Sequence, residues 1–207
     1  MSMMRGSYVF EEETHLTVLK TCLFFAGDGF AAYDNKGERV FRVDSYGHDV
    51  RDRHELVLMD VSGKCLITVR RKRPSLHQRW EGFLGEIIEG QKNEPIFSVR
   101  RSSIIGRSAV TVEVYGDNPG EEYQIDGSFS RRCCDFYNAA RETVAEVRRK
   151  ANASANVVFG KDVFTLVVKP GFDAAFAMGL VLILDQIDVG EFGLFDDGED
   201  QVQDQVL

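Results

Sequence analysis

Between Asp173 and Asp185 the sequence reads AAFAMGLVLIL, eleven consecutive residues (174–184) with no polar side chain on any face. A helix that is apolar all round has no side to turn toward water, so it must be buried in protein or in lipid. A membrane span needs about 20 apolar residues, nearly twice this run. Burial in protein is the remaining solution. Asp173 follows Lys169-Pro170-Gly171-Phe172 and is placed to cap the helix by accepting a bond from a free backbone N–H. Asp185-Gln186-Ile187-Asp188 closes the run. The expected helix covers about 173–188 and is roughly 22 Å long.

Most of the remaining chain reads as short β-type runs. Leu16-Thr17-Val18-Leu19 and Phe30-Ala31-Ala32-Tyr33 are followed by the turn Asp34-Asn35-Lys36-Gly37 and by Arg39–Val43. Asn and Gly tolerate the positive φ that tight hairpins need. The pattern repeats as Glu55–Met59, the turn Asp60-Val61-Ser62-Gly63, and Cys65–Val69. Further runs are Trp80–Ile87, Pro95–Arg100, Val110–Tyr115, Glu122–Ser130, Cys134–Tyr137, Val144–Arg149 and Val163–Val168. About a dozen strands at this spacing indicate a sandwich or a barrel. Eight strands leave room only for side chains, whereas eleven or twelve enclose a helix. The expected fold is therefore mainly β: a closed antiparallel barrel of about twelve strands around the 173–188 helix. A sandwich with the helix packed on one face is the competing arrangement.

Only 4 prolines occur and no low-complexity linker splits the body, so one domain is expected over 16–190, after an N-terminal extension of 1–15. Residues 191–207 differ. They hold Glu191, Asp196, Asp197, Glu199, Asp200 and Asp204 without a single base, so six of the net eight negative charges sit in this stretch. Their apolar content beyond Phe192, Leu194 and Phe195 is too small to offset the entropy of ordering, and a solvated, disordered tail is expected. Deleting residues 196–207 is accordingly expected to leave the melting temperature within about 1–2 °C. A larger fall in thermal denaturation would show that the tail packs on the body.

The body is near neutral, but its charge is uneven. Residues 64–107 hold ten Lys and Arg against four Glu. The densest run, Arg70-Arg71-Lys72-Arg73, leaves a strand; Arg100-Arg101 with Arg107, Arg131-Arg132 and Arg148-Arg149-Lys150 flank others. Arg donates paired N–H groups and Lys a point charge, so such runs suit phosphates or an anionic membrane. The plainer alternative is a set of solvated outward positions that discourage edge pairing. The candidate anion site comprises Arg70, Arg71, Lys72, Arg73, Arg100 and Arg101. Continued alternation from Ile67 and Val69 puts Arg70 and Lys72 outward, with Arg71 and Arg73 turning at the strand end.

Catalytic and metal chemistry find little to work with. His15, His48, His54 and His77 lie in unrelated contexts, none paired with a Cys or Ser as base and nucleophile. His48-Asp49 and Asp52-Arg53-His54-Glu55 lack the i,i+4 spacing of helical metal ligands and read as polar loop. Gly27-Asp28-Gly29 and Gly160-Lys161-Asp162 are turns, not phosphate loops, and Asp34–Gly37 is too short for a calcium loop. The cysteines at 22, 65, 133 and 134 form no C-x-x-C pair and read as reduced, buried or half-buried thiols. Trp80, the single tryptophan, reads as a core anchor, with an exposed binding aromatic as the other reading. No enzyme activity and no cofactor are expected. The N-terminal stretch MSMMRGSYVFEEE has no apolar signal region, which points to the cytosol.

Several stretches, taken in order, carry a resemblance. They run from Gly27-Asp28-Gly29-Phe30, Val40–Asp44 and Val57–Asp60 through Arg70-Arg71-Lys72, Arg79-Trp80 and Phe97–Arg100. The series ends with Val144–Val147, Gly160–Phe164, Pro170–Asp173 and Ile183–Gln186, so it covers about residues 16–188. The chain resembles the plant LURP-one-related family, relatives of the Tubby C-terminal domain and of phospholipid scramblases. The resemblance implies a twelve-stranded barrel around a hydrophobic C-terminal helix, a link to plant defence, and non-enzymatic binding. Tubby-like relatives bind phosphoinositides, and anionic lipid headgroups or a protein are therefore the expected partners. A protein-interaction scaffold without lipid affinity is the alternative. Direct nucleic-acid binding is not expected, and neither is a transmembrane segment. A monomer is expected, cytoplasmic, with the nucleus and the inner face of the plasma membrane as further sites.

Overall fold

In the computed structural model, the described residues are 8–23, 27–45, 55–72, 79–88, 90–104, 107–115, 120–152 and 157–192. The first eight strands are β1 (Thr14–Leu23), β2 (Gly27–Tyr33), β3 (Arg39–Ser45), β4 (Glu55–Asp60), β5 (Cys65–Arg71), β6 (Trp80–Leu84), β7 (Phe97–Ile104) and β8 (Arg107–Val114). They are followed by β9 (Glu122–Ser128), β10 (Cys133–Tyr137), β11 (Thr143–Arg149), β12 (Ala151–Asn152), β13 (Val157–Val158), β14 (Val163–Val168) and the helix α1 (Ala174–Phe192). Twelve strands close into one barrel, each antiparallel to its neighbours; β12 and β13 form a separate two-stranded sheet. From β1 to β11 each strand pairs with the next, and β14 closes the ring between β11 and β1. Every run expected to be a strand is one of the twelve.

The alternation places one set of side chains inside. Leu16 and Val18, Phe41 and Val43, Leu56 and Leu58, Ile67 and Val69, and Phe97 and Val99 are all buried. Between them runs α1, whose residues Ala174 to Leu184 are buried on every side. At 19 residues it is about 28 Å long, one turn longer than the sequence reading because Val189–Phe192 continue the helix. Two glycines make room on the axis. A Cβ on Gly82 would stand 2.1 Å from ring carbons of Phe97, so that ring occupies the space a side chain would take. A Cβ on Gly179 would lie 3.4 Å from Ile67 Cδ1, so the helix backbone sits close against β5.

The expected cap is present. Asp173 Oδ1 accepts from the backbone N–H of Ala175 at 2.9 Å and of Phe176 at 3.1 Å, at a position only 1% exposed. Asp173→Ala is expected to cost about 1 kcal/mol, a fall in melting temperature of about 2–4 °C, because two buried donors lose their acceptor. An unchanged transition would show that the cap contributes nothing. The residues before β1 hold the same end: Ala174 N–H donates to the Tyr8 carbonyl, and the Tyr8 ring lies 5.0 Å from that of Phe41. Trp80 is 4% exposed within the core, as an anchor should be.

Strand ends differ from the expectation where the chain turns for reasons the pattern does not show. β6 stops at Leu84 rather than Ile87, because Gly85 adopts φ +69 and its N–H is taken by the Leu66 carbonyl. β7 runs on to Ile104, past Arg100, in a long hairpin with β8. No described helix is long and apolar enough to cross a membrane. The expected tail from residue 193 onward lies outside the described residues.

Candidate functional site

Antiparallel order decides where the basic runs go. Strands β5 and β7 each pair antiparallel with β6, so both point the same way and their C-terminal ends lie at one rim of the barrel. The Phe97 ring near the start of β7 meets that of Phe176, in the first turn of α1, edge to face at 5.0 Å. Arg101, four residues on, lines a pocket with Leu184, Ile187 and Asp188. The rim at the C-terminal ends of the odd-numbered strands is therefore the one where the helix finishes. Four separate basic segments reach it: the ends of β5, β7 and β11, and the turn Ser130–Arg132 between β9 and β10.

The predicted site residues do not all behave alike. Arg70 faces outward with its guanidinium 5.2 Å over the ring of Phe83. Lys72 is exposed and pairs with Glu81 at 2.7 Å, and Arg100 pairs with Glu113 at 3.2 Å, both on the outer wall. Arg71 and Arg101 share the inward alternation of Ile67–Val69 and Phe97–Val99; Arg71 is the last residue of β5, while Arg101 stands beside the end of the helix with β7 running three residues further. Arg73, like His48, His54 and His77, lies outside the described residues. Arg71, Arg131 and Lys161 have no ion-pair partner among the described residues.

Two basic side chains at this rim are drawn inside it, Lys20 partly and Arg132 fully. Lys20 Nζ bonds both Asp185 carboxylate oxygens, at 3.1 and 2.9 Å, tying β1 to the helix. Nothing local marks a pair 165 residues apart. Arg132 is 6% exposed at φ +53. Its guanidinium lies 4.1 Å from the Phe129 ring centroid and 4.4 Å from that of Phe164, and Nε donates to the Lys161 carbonyl at 2.8 Å. Burial pulls its pKa below the ordinary arginine value, while Asp185, Asp188 and Asp162 oppose that shift by stabilising the cation. The sequence showed Arg131-Arg132 as one basic pair; in the fold the first is exposed and the second is a structural strut.

The pocket beside the helix end encloses about 100 Å³, a few water molecules' worth of space. Its lining combines apolar Val110, Ile125, Phe129, Leu184 and Ile187 with polar Arg101, Ser128, Ser130 and Asp188. Such a volume is too small for an acyl chain. Elsewhere, His15 is exposed and bonds Glu13 at 2.8 Å. Cys134 is buried and its thiol is pushed up to about 12 by burial, Cys65 is half-buried, and Cys133 is exposed at the surface, unlike the buried thiols expected. No group of three His, Cys, Asp or Glu side chains placed to hold a metal occurs among the described residues.

Comparison with known proteins gives concordant results. The LURP-one-related family profile matches residues 14–185. Protein LURP-one-related 12 of Arabidopsis thaliana is 66% identical over 181 residues, 87% of this chain and 81% of that protein. Protein LURP-one-related 5 of the same plant is 64% identical over 197 residues, covering 94% of this chain and 92% of its own. An X-ray structure of an Arabidopsis thaliana protein superposes with a TM-score of 0.64 at 21% identity, over 90% of this chain and 98% of that one, which speaks to the fold alone.

Proposed function

Because this chain belongs to the LURP-one-related family, we propose that it acts by binding rather than catalysis, as a regulatory module whose basic rim docks on anionic headgroups, phosphoinositides among them. The observation that carries this reading is the convergence of four basic segments, far apart in sequence, on the rim where α1 ends. A rim is the part of a barrel that meets a flat surface end-on. Near an anionic leaflet each Lys or Arg contributes about 1 kcal/mol, so a handful at one end suffices for reversible docking while the net charge of the chain stays negative. The small pocket beside Arg101 offers a foothold for part of one headgroup, with Ser128 and Ser130 in its lining.

In this reading the module is cytosolic, reaches the inner face of the plasma membrane or the nucleus by equilibrium partitioning, and serves defence or other signalling. Sedimentation with vesicles of phosphatidylcholine alone, with added phosphatidylserine, and with added phosphatidylinositol bisphosphate tests it. The expected result is binding to the two anionic compositions, weakening as salt rises. Absence of binding at low salt to every composition would defeat the lipid reading and leave the scaffold reading in its place.

A further inference from the structure

A second surface lies on the outer wall of β4–β6, starting just below the rim where Glu55 stands opposite Arg70. In β4 the outward positions are Glu55, Val57 and Met59, yet Val57 is 4% and Met59 3% exposed. In β5 and β6 the outward Thr68 and Phe83 are buried as well. Outward residues of a barrel are ordinarily solvated, so this wall has a roof. Arg42 Nη2 lies 3.4 Å from Met59 Sδ and the Arg70 guanidinium lies on Phe83, while over Thr68 the roof is the segment after β6: Thr68 Oγ1 donates to the Gly85 carbonyl at 2.7 Å, and Gly85 N–H donates to the Leu66 carbonyl at 2.9 Å. Beneath it an open cavity of about 260 Å³ is lined by Glu55, Val57, Thr68, Glu86 and Ile87.

Its chemistry narrows what fits. The volume falls short of the roughly 300–1,000 Å³ of small-molecule sites and matches one or two amino-acid side chains. Glu55 and Glu86 have no ion-pair partner among the described residues. Arg70 stands opposite Glu55 in the β4–β5 register, but its guanidinium lies on Phe83. Both carboxylates line this one cavity. Two of the four large hydrophobics strongly exposed among the described residues flank the cavity's Glu86 and Ile87 in the chain: Leu84, at the end of β6, and Ile88, just past the roof.

The geometry points to a docking groove for a partner-protein segment in which a Lys or Arg neighbours a large aliphatic residue. The cation enters between Glu55 and Glu86, and the aliphatic side chain covers Leu84 and Ile88. The groove does not depend on the rim reading and would serve a module that brings a protein to a surface.

A positional-scanning library of immobilised synthetic decapeptides tests it. The full chain is expected to select Lys or Arg beside Leu or Ile. Glu55→Lys with Glu86→Lys should cut that selected signal at least tenfold, and Ile88→Ser should relax the aliphatic choice while keeping the cationic one. All three substitutions are at solvent-facing positions, and an unchanged melting temperature checks folding. Vesicle binding should not fall, since Glu55→Lys adds positive charge beside Arg70, and loss of peptide selection without loss of vesicle binding separates this groove from the rim. No selection, or the same selection by the charge-reversed chain, would overturn the proposal. So would selection that appears only after residues 2–7 are removed: Met3, Met4 and Arg5 have the same chemistry, and the occupant would then be this chain's own N-terminus.

Discussion

Replacing Gly179 with leucine is expected to destabilise the protein by about 1–3 kcal/mol, a fall in melting temperature of about 2–12 °C for a chain of this size, or to prevent soluble expression. The reason is the contact between α1 and β5. A bare Cβ at 179 already comes within 3.4 Å of Ile67 Cδ1, 3.7 Å of Ile67 Cγ2 and 3.9 Å of Phe97 Cζ. Three more carbons have nowhere to go, because Ile67 and Phe97 are both fully buried and Phe97 is itself held against Phe176. Alanine makes the informative contrast. Its methyl meets only ordinary contact distances, and alanine in a helix interior gains about 0.8–1.0 kcal/mol over glycine. Gly179→Ala should therefore leave the melting temperature unchanged or raise it slightly, while Gly179→Leu lowers it. Thermal denaturation of the two variants decides the matter: equal transitions for leucine and wild type would mean the helix does not pack where it is placed.

The same helix explains why so much of the fold was legible. An apolar run without a polar face can only be interior, and a strand count near twelve is what an interior of that width requires. What the pattern missed is set by contacts between distant residues. Lys20, three residues before the end of β1, is held in place by Asp185 and the Asp162 carbonyl as well as by its pairing with β2. β6 is short because Gly85 turns the chain onto Leu66 and Thr68. Of the candidate site, sequence gave the basic segments but not their gathering at one rim, since that follows from the direction of each strand. Nor could it divide Arg131 from Arg132, where a positive φ turns one side chain to solvent and the other between two aromatic rings. The outer groove was invisible for a related reason: Val57 and Met59 look like ordinary members of an apolar strand until β4 is seen to present them outward.

Changing Arg71, Lys72 and Arg73 together to glutamate is expected to lower affinity for phosphoinositide vesicles at least tenfold, with folding intact. Exposed charges usually alter stability by less than about 0.5 kcal/mol each. The pair Lys72–Glu81 that is lost is a surface pair, with Lys72 48% exposed, and such pairs contribute about 0–1 kcal/mol. At the membrane the balance is different, since three attractive charges become repulsive at about 1 kcal/mol apiece. A second reversal, Arg131→Glu with Lys161→Glu, separates two ways of docking. These residues belong to the part of the rim around β10 and β14, away from β5 in the strand order. If the whole rim lies flat on the leaflet, either reversal weakens sedimentation in rough proportion to the charge changed, and both effects fade together as salt shortens the reach of charge. If one headgroup is held at the ends of β5 and β7, only the first reversal matters, and soluble inositol trisphosphate should compete. Equal binding by wild type and the folded triple variant would remove Arg71, Lys72 and Arg73 from the site, and equal binding by both variants would remove the rim.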